Sequence, residues 1–363
     1  MKSDIFTVMA KPVSDKCNLK CSYCFYLGTA EQLNHLPTNL MTDDVLRDFT
    51  QKYIEQSNTP TVSFVWQGGE PTLAGLDFFQ KAVKFQQEFA DGKTITNSLQ
   101  TNGIALNRQW MTFLKEHHFL VGISIDGTQT AHDKYRISIN GAPTYERVKQ
   151  AIGLLNEFEI EYNALCTINS SNWNKGKTVY SNLKQMGVRF MQFIPIVVFD
   201  KKKKMAPFTV PQKGFGTFLV DVFNEWAKAD INYTFIMNFE SILSSYVNKH
   251  PLICFHSQQC GSPLVIESNG DVYSCDHFVT DQFRIGNIES QGFTDMIESD
   301  KHQQFQALRS ITKECQRCEY LSLCHGGCPK HSMLGGSNYL CPSYKMLFKH
   351  TKEPVKIIIN NLL

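Results

Sequence analysis

No run of this 363-residue chain approaches the ~18 to 20 consecutive apolar residues of a membrane-spanning helix. One of its most apolar stretches, Phe193 to Phe199 (FIPIVVF), is only strand-sized. The opening residues, MKSDIFTVMAKP, lack the apolar core of a secretory signal. Strong charge of one sign is missing as well, since the formal net charge is +2. That excludes a global basic footprint for nucleic acid and an acidic tail. No internal repeat and no low-complexity segment occurs. These absences predict a cytoplasmic globular protein of one large domain or two smaller ones, with no nucleic-acid partner and no membrane.

Cysteine is what the chain has in quantity: there are twelve. Disulfides explain them poorly, because the cytosol keeps thiols reduced and a chain this long buries a core without staples. Metal ligation is the stronger reading. Cys17, Cys21 and Cys24 form one group, and Cys254, Cys260, Cys275, Cys315, Cys318, Cys324, Cys328 and Cys341 form another. Cys166 stands apart on an expected strand, where it suits the role of a small hydrophobe. The first group has the spacing C-x3-C-x2-C, with no fourth cysteine close behind. Three thiolates can bind three irons of a 4Fe–4S cube and leave the fourth open, as a catalytic metal requires. On spacing alone, zinc completed by a distant histidine and metal-free thiols stay open.

Apolar β-branched runs alternate with amphipathic stretches over the first two thirds. Strands are expected near Phe6 to Val13 and within Thr61 to Pro71, Thr94 to Gly103, Phe119 to Gly127, Glu161 to Asn172 and Arg189 to Phe199. Helices are expected over Leu76 to Phe89 and Thr144 to Phe158, where apolar residues recur at helical spacing. Alternation of this kind implies a parallel sheet with right-handed crossovers, rolled into a barrel or part of one. Polar and glycine-rich residues follow the strands, at Gln67–Glu70, Gln100–Gly103, Ser124–Gly127 and Thr167–Asn172. Such positions form the mouth of an α/β fold. Beyond residue 235 the pattern becomes loop-rich, with few long helices, which divides the chain into 1–235 and 236–363. Asn269-Gly270 reads as a hairpin turn, and Lys201 to Lys204 as a solvated linker loop.

These residues carry a resemblance. The C-x3-C-x2-C run followed by Phe25, with Gly68-Gly69-Glu70 after the second strand, resembles the radical S-adenosylmethionine (SAM) superfamily. The resemblance implies a 4Fe–4S cluster on Cys17, Cys21 and Cys24, with its open iron chelated by SAM. Reductive cleavage of SAM then gives methionine and a 5′-deoxyadenosyl radical. Gly68, Gly69 and Glu70 match the motif holding the SAM amino group. Glycines permit close backbone approach, and a carboxylate suits an ammonium. Tyr23, Ser124, Arg136 and Val197 fall where the superfamily contacts SAM. Asn102 and Asp126 are further mouth residues that turn hydrogen bonding explains equally well.

The pattern Cys315-x2-Cys318-x5-Cys324-x3-Cys328, with Cys341 beyond it, resembles the SPASM domain. By position, one auxiliary 4Fe–4S cluster takes Cys254, Cys260, Cys275 and Cys328. The other takes Cys315, Cys318, Cys324 and Cys341. Two structural zincs are the alternative that spacing alone allows. Fully ligated clusters suit electron transfer.

CNLKCSYCFYL, WQGGEPTLAG, SLQTNG, GDVYSCDHFV, CHGGCPKH and NYLCPSYK together resemble the anaerobic sulfatase-maturating enzymes. These oxidise a sulfatase cysteine or serine to Cα-formylglycine. The resemblance implies an α/β fold, a partial (β/α)6 TIM-like barrel, a C-terminal SPASM domain and a peptide lying across the mouth. It implies three 4Fe–4S clusters, an unfolded sulfatase as substrate, and a low-potential electron donor such as flavodoxin or ferredoxin. Asp276 matches the family's base. A carboxylate is a weak base for a thiol unless burial raises its pKa, although a radical on the adjacent carbon acidifies the thiol. Tyr26 and Gln67 match substrate-lining positions. Ser332 departs from the family, which more often has arginine there.

A second radical SAM/SPASM class forms C–C (cyclophane) or thioether crosslinks in ribosomally made precursor peptides and shares most of these motifs. A precursor-binding domain before the barrel would favour that class; the sixteen residues before Cys17 are too few for one, which leaves a separate chain to supply it. An electron carrier or scaffold is a third reading, which the open three-cysteine site and the glycine turn oppose.

Overall fold

The computed structural model describes residues 6–27, 29, 40–199, 204–309, 311–332 and 336–362. Of the lysine run, Lys201 to Lys203 lie outside the described residues. Strands and helices alternate as the periodicity predicts. The order is β1 (Val8–Ala10), α1 (Asp43–Gln56), β2 (Thr61–Trp66), α2 (Leu76–Phe89), β3 (Thr94–Thr101), α3 (Arg108–Glu116) and β4 (Leu120–Ser124). Then come α4 (Gln129–Tyr135), α5 (Tyr145–Glu157), β5 (Tyr162–Ile168), α6 (Gly176–Gln185), β6 (Phe190–Pro195), α7 (Gly214–Ala229), β7 (Phe235–Ile236) and α8 (Met237–Val247).

Strands β1 to β7 pair in sequence order, all parallel. This is the partial barrel. The expected division at residues 235 and 236 falls inside β7, which pairs with β6, so the barrel layer runs past that point. The SPASM region is joined to the same sheet. Strand β8 (Leu264–Ile266) pairs parallel with β1, and β9 (Asp271–Tyr273) and β10 (Arg284–Asn287) follow antiparallel. The β8–β9 hairpin turns at Asn269-Gly270, where Gly270 takes φ +82°. The loop-rich remainder contains one long helix, α9 here (Cys341–Leu362), which packs on α7. Ser343 near its start donates to the Gln212 carbonyl at 2.8 Å and accepts from the Gly216 amide at 2.9 Å.

The strands are not buried on both faces. Val62, Phe64 and Trp66 of β2 are buried, while Thr61, Ser63 and Val65 between them are not. The same alternation continues through β3, β4 and β6. One face packs on the helices and carries the core, with Phe49, Phe79, Leu99, Leu114, Val121, Ile152 and Leu183 almost wholly enclosed. The other face, with Ser63, Thr96, Ser98 and Gln100, is polar and open. A closed eight-stranded barrel fills its interior with side chains. This open one leaves a lumen for a ligand. Cys166, on the core face of β5, is fully buried as expected.

Candidate active site

Because β1 to β7 and β8 are all parallel, their C-terminal ends converge on one rim. Lys11, Gln67, Asn102, Asp126, Asn169, Val197 and Glu267 follow strand ends there. The loop bearing Cys17, Cys21 and Cys24 leaves β1 and crosses the rim. It is clamped to the turn after β2: the Gly69 amide donates to the Ser14 carbonyl at 2.7 Å, and the Glu70 amide to the Lys16 carbonyl at 2.9 Å. A Cβ on Gly69 would stand 2.1 Å from the Lys16 carbonyl oxygen. Gly68 takes φ +129°, and a Cβ there would meet the Ser14 oxygen at 2.9 Å. The glycines are therefore required for backbone-to-backbone contact with the cysteine loop.

The Glu70 carboxylate is buried and hydrogen-bonded within the protein. One oxygen accepts from the Thr72 amide (3.1 Å), the Thr72 hydroxyl (2.6 Å) and the Thr101 hydroxyl (2.8 Å), and the other from the Asn102 amide (2.7 Å). It ties the end of β2 to the end of β3 and caps the short turn Pro71–Ala74. The oxygen that accepts only from Asn102 keeps capacity for a further donor.

Tyr23 and Arg136 meet at Asp126, which is wholly buried. The Tyr23 hydroxyl and the Arg136 Nε (3.2 Å) donate to one carboxylate oxygen, and Thr167 donates to the other through its amide (3.0 Å) and hydroxyl (2.8 Å). Arg136 also donates towards Cys21. Asp126 is more than a turn residue: it links the cysteine loop to β4 and β5. Ser124 accepts from Gln100 at 3.3 Å, and Val197 is buried beyond β6.

Asp276 follows Cys275 in a short turn, Asp276–Phe278, and accepts from the Cys275 thiol at 3.6 Å. Burial acts to raise its pKa, but His277 and Lys11 outweigh that and hold the carboxyl below its ordinary range. Of the two, Lys11 directly follows β1. Its ammonium is almost completely buried, 3.4 Å from the centroid of the Tyr26 ring. Burial lowers its pKa, against the attraction of Asp276, Glu267, Cys275 and Cys24. The Tyr26 hydroxyl donates to Glu267. Lys11 and Glu267 were missed in the sequence, although each directly follows an apolar strand, the signal that marked Gln67. The Gln67 Oε1, a Glu267 oxygen, the His277 Nδ1 and the His331 Nδ1 are buried without a hydrogen-bond partner. The His277 ring stacks on Phe25 at 4.2 Å. Ser332 pairs with Asn338 across a bridge, and residues 333–335 between them lie outside the described ones.

All twelve cysteines are free thiols. The thiols of the second group lie in two neighbourhoods: Cys254, Cys260 and Cys275 near Cys328, and Cys315, Cys318 and Cys341 near Cys324. The latter quartet lines a cavity together with Tyr320, Tyr344 and Phe348. A cube spreads its thiolates over different irons. Burial pushes the thiols of Cys17 and Cys254 up to about 12 and those of Cys21 and Cys324 to about 11. Left alone they are protonated, and a bound cluster supplies the positive charge that keeps them as thiolates. The donor sets therefore fit three iron–sulfur clusters.

Comparison with known proteins agrees with this geometry. Residues 12–174 match the radical SAM superfamily, and residues 254–319 match an iron–sulfur cluster-binding domain, SPASM. The serine-type anaerobic sulfatase-maturating enzyme of Bacteroides thetaiotaomicron is 37% identical, over 94% of this chain and 88% of its own. The cysteine-type enzyme of Clostridium perfringens is 33% identical, over 98% and 99%. A solved structure of native anSMEcpe with bound AdoMet and the Cp18Cys peptide superposes with a TM-score of 0.91 at 32% identity, covering 98% of this chain and 99% of that one. Streptococcus suis SuiB bound to its precursor peptide SuiA shares the fold, at TM-score 0.66 and 16% identity over 90% of this chain and 72% of its own.

Proposed function

The chain belongs to the anaerobic sulfatase-maturating enzymes of the radical SAM superfamily, and we infer that it oxidises a cysteine or serine in an unfolded sulfatase segment to Cα-formylglycine. The observation that carries the reading is the convergence at Lys11. One buried ammonium lies over the ring of Tyr26, two residues after Cys24 of the open three-cysteine loop, and the ring of Phe25 beside Cys24 stacks on that of His277 beside Asp276. The candidate base and the open cluster thus share one mouth.

We assign Cys17, Cys21 and Cys24 to the SAM-binding cluster, and the two quartets to auxiliary clusters. With SAM bound, the cluster chemistry supplies a carbon radical that takes hydrogen from the target Cβ and a sink for the remaining electron. The protein does the rest. Gly68 and Gly69 bring the β2 turn against the cysteine loop, so that this turn and Glu70 at its end meet the SAM amino group. Tyr23 and Arg136, fixed by Asp126, brace that loop from the far side, and Ser124 and Val197 close the lumen wall. Asp276 accepts the proton of the target thiol or hydroxyl. Lys11 keeps that carboxylate charged before substrate arrives. The demand on so weak a base is met by the acidifying effect of the adjacent radical. Tyr26 and Gln67 line the peptide path, and the unpartnered Gln67 oxygen accepts from a peptide amide. Reducing equivalents come from a low-potential donor such as flavodoxin or ferredoxin, in the cytoplasm. No described helix is long and apolar enough to cross a membrane.

The test is anaerobic reconstitution, followed by mass spectrometry of a Cys-x-Pro-x-Arg peptide. Replacement of sulfur by oxygen with loss of two hydrogens supports formylglycine formation. A two-hydrogen loss with sulfur kept and two residues joined would assign the chain to peptide crosslinking instead.

A further inference from the structure

Two side-chain donors converge on the quartet of Cys254, Cys260, Cys275 and Cys328, and the reaction as described uses neither. The first is Arg309. Its guanidinium donates to the carbonyls of Cys254 (3.1 Å), Phe255 (3.2 Å) and Gly327 (2.9 Å). It also donates to the Cys260 thiol sulfur at 3.4 Å. With a longer contact to the His325 carbonyl (3.5 Å), four of its contacts fall on backbone near Cys254 and Cys328, and the fifth on a ligand sulfur itself. Its Nε is buried without a partner.

The second is Tyr344, on α9. The ring is 3% exposed and sits between the segments bearing Cys254 and Cys328. It lies 4.9 Å from the His256 ring, two residues after Cys254. On its other side a Cβ on Gly327, the residue before Cys328, would come within 3.2 Å of its Cε2. It also walls the cavity of the second quartet. Its hydroxyl is buried and has no partner in the protein. A buried hydroxyl without a partner costs roughly 1 to 3 kcal/mol. Phenylalanine would fill the same apolar setting among Phe255, His256 and Phe348 without that cost.

We propose that Arg309 and Tyr344 are tuning residues of this auxiliary cluster: both donate hydrogen bonds to its sulfurs and raise its reduction potential relative to the same cluster without them. Donors and positive charge stabilise the more negative, reduced cluster, and hydrogen bonding at sulfur is one of the protein's main levers on potential. Arg309 supplies both effects and Tyr344 only the first. The proposal rests on the assignment of these four cysteines to one cluster.

The experiment is a potentiometric titration of the full chain, reconstituted with iron and sulfide and followed by electron paramagnetic resonance. A Cys17→Ala, Cys21→Ala, Cys24→Ala background leaves only the auxiliary signals. Tyr344→Phe and Arg309→Gln are each compared with that parent. The expected result is a more negative midpoint for one of the two auxiliary signals, larger for Arg309→Gln, with the other signal unmoved and iron steady at about eight per chain, two clusters of four. Unmoved midpoints at full iron in both variants overturn the proposal. So does loss of iron in Arg309→Gln with an unmoved midpoint in Tyr344→Phe, which makes Arg309 a structural clasp only. A parent holding about four irons removes the two-cluster assignment itself, a failure visible before any variant is compared.

Discussion

Replacing Gly69 with alanine adds one methyl group to the most crowded point of the site. The new Cβ would stand 2.1 Å from the Lys16 carbonyl oxygen and 2.6 Å from the Asp15 carbonyl carbon. Both are backbone atoms, so no side chain can rotate away. The turn and the cysteine loop must separate by about 1 Å or more to reach ordinary contact. Overpacking of this kind costs about 1 to 3 kcal/mol. Separation also weakens the Gly69–Ser14 and Glu70–Lys16 backbone hydrogen bonds, each worth about 0.5 to 1.5 kcal/mol. The total is about 2 to 6 kcal/mol, a large part of the 5 to 15 kcal/mol that holds a typical domain folded. Two assays divide the outcomes. Denaturant unfolding of the iron-free protein reads the cost if the whole fold bears it. Iron content after reconstitution reads it if the loop yields locally, falling from about twelve to about eight as the three-cysteine cluster is lost. A Gly69→Ala variant with an unchanged unfolding midpoint and a full iron complement would refute the clamp between the glycine turn and the cysteine loop.

Three further outcomes are expected. Asp276→Asn retains SAM cleavage but loses formylglycine, as deoxyadenosine and peptide product measured in one reaction will show; full product formation removes Asp276 as the base. Asp126→Ala leaves Arg136 buried without its carboxylate and destabilises the fold by about 3 to 5 kcal/mol, measured by urea unfolding; a loss below about 1 kcal/mol contradicts its role as the hub of Tyr23, Arg136 and Thr167. His132 is buried, accepts from the Asp126 amide through Nδ1 (3.3 Å) and lies 3.0 Å from the Thr144 hydroxyl through Nε2, and burial lowers its pKa from 6.5 to about 4. The unfolded chain therefore takes up a proton that the folded one refuses. The stability His132 provides is complete above pH 6.5 and is withdrawn as pH falls towards 4, by about 3 kcal/mol at about 1.4 kcal/mol per pH unit. Unfolding of iron-free protein across that range checks it, and His132→Gln flattens the profile if the assignment is right.

Much of the barrel was legible because its strands and helices obey their periods. The helix from Leu76 to Phe89 was placed to the residue, and the six strands lie within the stretches assigned to them. The open lumen was not legible. Thr61, Ser63, Thr96 and Ser98 looked like ordinary strand residues, and only the unclosed sheet leaves that face uncovered. Nor could spacing reveal that β8 joins β1, since the pairing links residues more than 250 apart. The cysteine groups stood out by count and spacing. The partners of Glu70 did not, because Thr72, Thr101 and Asn102 are common polar residues until β2 and β3 lie side by side. Lys11 hid for a related reason. It sits inside the stretch expected as a strand, Phe6 to Val13, and its burial follows from Tyr26, Glu267 and Asp276 arriving from two other segments.

The central claim, that the mouth oxidises a peptidyl Cβ, is tested most directly by aldehyde capture. The reconstituted enzyme is incubated with SAM and two peptides that differ only in Cys or Ser at the target position of a sulfatase segment. The products are trapped with a hydrazide and sequenced by mass spectrometry. The expected result is a hydrazone at the target position, of one identical mass from whichever peptide is turned over, with deoxyadenosine formed in step with it. Deoxyadenosine formation with no hydrazone from either peptide would contradict the claim.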